Sequence, residues 1–459
     1  MTNAERELPQ RWVWSTLGEA FDVIMGQSPP SHTYNVEGKG LPFFQGKAEF
    51  GPLHPTPVKW CSEPGKIAQA GDVLISVRAP VGPTNLCVEE SCIGRGLAAI
   101  RPKNNAPSQY VLYWLKLTAR QLAEQATGTT FAAISGTTLR NHPIPFAPMD
   151  EQRRIVAKIE ELFSRLDAGV AALKRVQAAL KRYKASVLKA ACEGQLVPQD
   201  PSDEPATALL SRILDERRAR WEAILRTNGK DPKRAKYEEP IAPITNVLPT
   251  LPDDWCWASL SQVSWDAGYG TSQKCEYEAD GPPVIRIPNI TAGSFDLGDL
   301  KHATLADELP LDGDLSIGDF VVIRTNGSKD LIGRAGYVRQ PFSTPHYFAS
   351  YLIRYRLLST QIGDWLAAIW DSGFLRGQIE QSAATSAGQY NVSVGSLNRI
   401  VFPLPPLQLQ KHIIAELDRQ LSILSKLDLS CQFNLDRASR LRQSILSKAF
   451  NGQLRTGAD

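Results

Sequence analysis

"PIPFAPMDEQRRIVAKIEELF" (Pro143 to Phe163) and "VFPLPPLQLQKHIIAELDRQL" (Val401 to Leu421) carry one pattern twice. Pro145, Pro148, Gln152, Ile155 and Ala157 stand 258 positions before Pro403, Pro406, Gln410, Ile413 and Ala415. The offset still holds where "SVLKAACEGQL" (Ser186 to Leu196) meets "SILSKAFNGQL" (Ser444 to Leu454), so neither copy carries an insertion.

Each copy reads as a proline-rich junction running into a long helix. Proline cannot continue a helix backwards, so Pro148 and Pro406 mark the starts. From Glu151 onward, apolar residues fall at Ile155, Ile159, Leu162, Leu166, Leu173, Val176, Leu180, Tyr183 and Val187. Apart from Gly169 the steps alternate four and three, which is a heptad seam. The second copy keeps the stripe at Ile413, Leu417, Leu421, Leu424, Leu427, Leu441 and Ile445, and dilutes it at Cys431, Asn434 and Ala438. Some 40 residues of helix make a rod of roughly 60 Å. A lone rod cannot bury its stripe. The economical partner is the other copy; the alternative is that each rod packs only on its own globular domain.

A second echo lies upstream. "LPQRWVWSTL" (Leu8 to Leu17) returns as "LPDDWCWASL" (Leu251 to Leu260), 243 residues later. The shorter offset leaves the second half about fifteen extra residues ahead of its junction. Each half is thus a variable globular part followed by a helix of fixed length. The expected layout is a domain over 1–147, a long helix over 148–196 and a helical linker over 197–250. A second domain over 251–405, a second long helix over 406–454 and a tail over 455–459 complete it. Within the linker, Ala206 to Thr227 reads as a charged amphipathic helix between flanks rich in Pro, Asp, Lys and Glu.

Composition bounds the function. A chain of 459 residues supports two or three domains. It has no apolar run of about 18 residues, so no membrane span is expected. Its N-terminus lacks a basic-then-apolar secretory pattern, which points to the cytoplasm. The seven cysteines are odd in number, form no CxxC and do not cluster with the six histidines. Reduced, mostly buried thiols are expected, and no zinc site. A formal net charge of +3 permits DNA binding where basic residues are grouped, without requiring it.

Both variable parts look β-rich, with short apolar runs between Gly and Pro turns. "GDVLISVRAPVG" (Gly71 to Gly82) and "GDFVVIRTNGS" (Gly318 to Ser328) are counterparts: a Gly-Asp turn, a strand, then Arg78 or Arg324 at its exit. Arginine reads a guanine edge bidentately and also clamps phosphate. The plain alternative for each is an ion pair inside its own domain. Other polar loops supply Gln27, Ser28, Tyr34, Gln45, Lys47 and Arg95 in the first half. In the second they supply Ser272, Lys274, Arg286, Asn289, Asn326, Ser328, Lys329 and Arg334. Gln and Asn suit adenine, Lys and Arg suit guanine or phosphate; ordinary turn chemistry is the competing reading. Trp114, Trp365 and Trp370 sit at helical spacing among Leu and Ile and read as core.

Catalytic equipment is not recognisable. There is no GxxxxGK[ST], HExxH or GxSxG. "SPPS" (Ser28 to Ser31) lacks the aromatic of the amino-methyltransferase tetrapeptide, and "DAGYG" (Asp266 to Gly270) has only two glycines and no convincing βαβ setting.

The layout resembles the specificity subunit of type I restriction–modification systems. The resemblance rests on the LPxxWxWxxL phrase opening each half, the PxPPxxEQ-like junction before each rod and the GQL closing each rod. The junctions depart from the pattern at Ala147 in the first copy and Leu409 in the second. It implies an α+β chain with two β-rich α/β target-recognition domains, separated by two long antiparallel coiled-coil helices in a pseudo-twofold repeat. It further implies a bipartite, asymmetric double-stranded DNA target and no chemistry in this chain. The seam residues Ile155, Ile159, Leu162, Leu166, Leu173, Leu180, Ile413, Leu417, Leu421, Leu424 and Ile445 would pair the helices and dock partners. Those partners would be two methyltransferase subunits and the restriction/translocase subunits, bringing S-adenosylmethionine, ATP and Mg. The alternatives are a self-contained DNA methyltransferase or nuclease, and a coiled-coil scaffold that binds proteins.

Overall fold

The computed structural model describes residues 8–127, 132–310, 312–386 and 388–454. The expected tail over 455–459 lies outside them. The chain divides into two compact units, Met1–Arg175 with Ser430–Asp459, and Val176–Leu429.

In the first unit the opening phrase forms β1 (Val13–Thr16), one helical turn and β2 (Phe21–Met25). Thr16 and Glu19 cap that turn reciprocally, each side chain accepting from the other's backbone N–H. Then come β3 (Leu41–Phe44), β4 (Val73–Ser76), β5 (Thr84–Leu86), β6 (Ser91–Ile93) and β7 (Leu97–Pro102). The helix α1 (Ser108–Glu124), the strand β8 (Pro143–Phe146) and the long helix α2 (Met149–Cys192) follow. One antiparallel sheet runs β2-β7-β4-β5, and β3 pairs in parallel with β6 in a second sheet.

The second unit repeats the frame. After the linker helix α3 (Ala206–Thr227) come β9 (Cys256–Ser259), a turn capped by Ser259 and Gln262, and β10 (Ser264–Tyr269). The strands β11 (Asp319–Ile323), β12 (Ala335–Tyr337) and β13 (Leu352–Leu357) precede α4 (Thr360–Ile369), β14 (Val401–Leu404) and the long helix α5 (Leu407–Phe450). The principal sheet runs β10-β13-β11-β12, the order of the first unit.

The repeated phrases turn out to be each other's partners. β1 pairs antiparallel with β8, Val13 opposite Phe146, and β9 pairs with β14 in the matching register, Cys256 opposite Leu404. Each is a two-stranded ribbon, which tolerates the prolines that a central strand would reject. The junction glutamines serve the corner that follows. Gln152 donates its side-chain amide to the Ala147 carbonyl and Gln410 donates to that of Pro405, both at 2.8 Å and both buried.

GQL closes the frame. Gly194 and Gly452 take φ of +70° and +67°, and the N–H groups of Gln195 and Gln453 reach back to the carbonyls of Ala190 and Lys448. This is the left-handed helix stop that glycine enters without strain. A Cβ at Gly194 would collide with Pro252, and one at Gly452 with Pro9, so the proline of the opening phrase packs on the helix stop in both units.

The cores explain why helix length is fixed. In the first unit Trp12, Leu17, Trp114 and Ile144 pack with Ile155 and Ile159 from the start of α2 and with Ile445 and Phe450 from the end of α5. In the second, Trp255, Leu260, Trp365 and Phe402 pack with Val187 and Cys192 from the end of α2 and with Ile413 and Leu417 from the start of α5. Trp114 and Trp365 donate their indole N–H to the carbonyls of Pro143 and Pro403, each at 2.8 Å, and Trp370 is buried too. All three tryptophans are core, as their spacing implies.

The seam is less uniform than its spacing suggests. Its outer members, Ile155, Ile159, Ile413, Leu417 and Ile445, are buried in the globular cores. Leu162, Leu166, Leu173, Leu180 and Leu421 are half-buried and Leu424 is buried, whereas Val176, Tyr183, Leu427 and Leu441 are exposed. Within the second unit α2 and α5 run antiparallel: Gln177 bonds Asp428 and Tyr183 bonds Gln420. Within the first, Arg442 of α5 pairs with Asp167 of α2 and lies over Phe163. The inner turns of the long helices therefore combine buried Leu424, Cys431 and Ala438 with polar contacts on a partly open stripe.

Candidate nucleic-acid interface

The Gly-Asp turns lie at one end of each principal sheet and are structural. Asp72 accepts from the N–H of Gln69 and pairs with Arg101 of β7 at 2.9 Å. Asp319 accepts from the N–H of Ser316 and faces Arg356 of β13 at 3.8 Å. Burial pushes the Asp319 carboxyl up to about 6, against the pull of Arg354 and Arg356.

The arginines leave at the opposite end. In the first unit, four strand ends bring dispersed residues together there. Gln27 follows β2 and donates its N–H to Ile93. Arg95 precedes β7 and donates its N–H to the Ser28 hydroxyl at 3.4 Å. Gln45 follows β3 and presses on Gly96, where any Cβ would strike the Gln45 carbonyl. Arg78 follows β4, and the N–H of Val77 bonds the Gly96 carbonyl. Tyr34 stacks on Phe43 and donates to the Pro29 carbonyl at 2.7 Å, while Lys47 opens a single 3-10 turn just after Gln45. Gln27, Gln45, Lys47, Arg78 and Arg95 are exposed, and Ser28 and Tyr34 are half-buried. Among the described residues no carboxylate lies within ion-pair distance of Arg78, Arg95 or Lys47. Unneutralised guanidiniums beside exposed amides are the donor set that phosphates and base edges call for.

The second unit presents a different set at the same sheet end. Arg324 follows β11, lies over the Tyr269 ring at 4.5 Å and reaches Asn391 at 3.4 Å. Asn326 accepts from the N–H of Ser328 at 2.8 Å and sits on a short strand paired with Gln389–Asn391. Ser272 and Lys274 lie on the exposed loop after β10, with Lys274 paired to Glu276. Lys329 pairs with Glu380 at 3.4 Å, and Arg334 is half-buried in the turn that returns to β12.

Two expectations are corrected. Asn289 is buried: its side-chain Oδ1 accepts from the N–H of Arg286, and its side-chain amide donates to the carbonyls of Asp296 and Asp299. Arg286 bonds the Asp299 carbonyl and pairs with its carboxylate. The loop "IRIPNITAG" folds into a tight turn and a hairpin, and such a turn consumes its own polar groups. Conversely, Tyr351 and Asn391 contact Arg324, and Gln389 bonds the neighbouring Thr325, although none of the three stands out in the sequence. The segment holding Gln389 to Asn391 reads only as a link to the junction, and its pairing with Thr325–Asn326 is long-range. Among the described residues no cluster of His, Cys, Asp and Glu is placed to hold a metal ion, and no helix is long and apolar enough to cross a membrane.

The comparisons with known proteins agree with this architecture. The family model of the type I restriction modification DNA specificity domain matches residues 9–175, nearly all of the first unit's leading segment. A putative type I restriction enzyme specificity subunit of Methanocaldococcus jannaschii is 42% identical over 159 residues, 34% of this chain and 37% of that protein. The EcoKI specificity subunit of Escherichia coli K12 is 22% identical over 80% of this chain and 69% of its own length. The EcoDI specificity subunit of Escherichia coli is 21% identical over 98% and 90%. The matched domain in the first half, the same frame rebuilt in the second and relatives aligned along nearly the whole chain make this chain similar to type I restriction enzyme specificity subunits.

Proposed function

We propose that this chain reads a bipartite, asymmetric double-stranded DNA target, one half with each unit, and performs no chemistry itself. The observation that carries the reading is the same sheet end furnished twice with unlike residues. Arg78, Arg95, Gln27 and Gln45 stand there in one unit, and Arg324, Asn326 and Tyr269 in the other. One frame with two contents suits two different half-sites. Three of the thiols are poor nucleophiles: burial pushes Cys92 up to about 12 and Cys192 and Cys256 up to about 11.

Methyl transfer and cutting then fall to cytoplasmic partners, two methyltransferase subunits with S-adenosylmethionine and restriction/translocase subunits with ATP and Mg. Exposed Ile423, Leu427 and Leu429 on α5 in the second unit, and Phe433 and Leu441 in the first, support docking on the helices. The test maps the methylated DNA motif in cells carrying this chain with its methyltransferase. Arg78→Ala should relax bases in one half only and Arg324→Ala in the other only, each by about 1–3 kcal/mol of discrimination. Loss of selectivity in both halves from either substitution would refute the two-reader assignment.

A further inference from the structure

A strongly basic stretch lies outside the loops of the candidate interface. The chain's formal net charge is +3, yet Arg217 to Lys236 holds eight cations against the carboxylates of Glu222 and Asp231, an excess of six. Without these residues the chain would be net negative. The stretch covers the C-terminal half of α3 and the loop after it.

Two of the cations anchor the stretch and the others face outward. Ala206, Leu209 and Ile213 bury the N-terminal half of α3 in the second unit's core. Arg217 bonds the carbonyls of Ser264 and Glu238, and Arg220 lies over the Trp265 ring at 4.3 Å. Beyond this anchor Lys230, Lys233 and Lys236 are exposed, and among the described residues no carboxylate lies within ion-pair distance of them. Arg218, Arg226 and Arg234 have side chains 60%, 63% and 89% exposed, against only Glu222 and Asp231. Exposed pairs of this kind are worth little and give way to a stronger anion.

The stretch is anchored on an edge strand of the candidate interface's sheet, at the end of that strand away from Arg324. Trp265, under Arg220, and Tyr269, under Arg324, are both on β10, an edge strand of the principal sheet. Four residues of strand span about 13 Å, the rise of roughly four base pairs.

We propose that the linker helix and its following loop form a sequence-independent phosphate-binding platform for duplex DNA flanking the half-site read by the second unit. The inference rests on the DNA-reading function and adds a site to it. Lys and Arg contacts to phosphate supply affinity and salt dependence without choosing bases.

The test uses the full chain assembled with its methyltransferase and duplexes of two kinds, one carrying its methylated motif and one of unrelated sequence. Lys230, Lys233, Arg234 and Lys236 are replaced together by Gln; all are exposed, so an unchanged melting temperature is the control for folding. Each lost phosphate contact lowers the slope of log affinity against log salt by about 0.9. The expected result is a slope reduced by about two to four and at least about tenfold weaker binding to both duplexes near 0.1 M salt, with the preference between them unchanged. An unaltered slope overturns the platform, as does a defect confined to methyltransferase assembly, which would make the patch a protein-docking face. Should the unsubstituted assembly show no preference for its motif, the DNA-reading function itself fails.

Discussion

His142 shows how one side chain contributes to the pH response of the first unit. Its ring is 2% exposed, one nitrogen meets the Thr118 hydroxyl at 2.9 Å, and Nδ1 has no partner among the described residues. Burial lowers its pKa from 6.5 to about 4. The unfolded chain therefore takes up a proton below pH 6.5 that the folded unit refuses until about pH 4. Stability contributed by the neutral ring is complete above pH 6.5 and is lost as pH falls toward 4, by about 3 kcal/mol in all. The repeat supplies the control, because Ile400 stands at the position 258 residues later. His142→Ile should flatten the acid limb of the unit's melting temperature between pH 6.5 and 4. An unchanged limb would place the acid sensitivity elsewhere.

Elements built on periodicity or repetition were legible in the sequence, and those built on long-range pairing were not. Pro148 and Pro406 mark the helix starts because proline excludes the preceding turn, and Gly194 and Gly452 mark the ends because each takes a positive φ. The seam's spacing gave its direction but not its depth, since a heptad looks alike whether it meets a globular core, as at Ile159, or solvent, as at Val176. Asn289 and Asn326 are equally plausible readers in one dimension; only the hairpin after Asn289 reveals that its amide is spent inside the fold. Gln45, Arg78 and Arg95 each suit DNA by chemistry alone, and it is the register of β3, β4 and β7 that gathers them. The helices also carry a prediction of their own. Matched seven-residue insertions within α2 and α5 add about 10 Å of helix. If the helices set the spacing of the half-sites, the unspecified bases between them should increase by about three, or assembly should fail, with the bases of each half unchanged. Intact assembly with unaltered spacing would deny the helices that role.

Across the whole molecule, three repeated motifs serve one purpose. The opening phrase pairs with the junction, the junction launches a long helix, and the stop of the other long helix packs on the opening proline. Each unit is thereby closed by both ends of the chain's frame, while the loops at its sheet end are left free to differ. Division of labour between constant frame and variable reader is the central claim. Its most direct test replaces residues up to about Pro145 with the corresponding segment of a relative that methylates another motif, leaving the helices and the second unit intact. The methylated motif should then change in one half only, keeping the second half. A change in both halves, or in neither, would contradict the account.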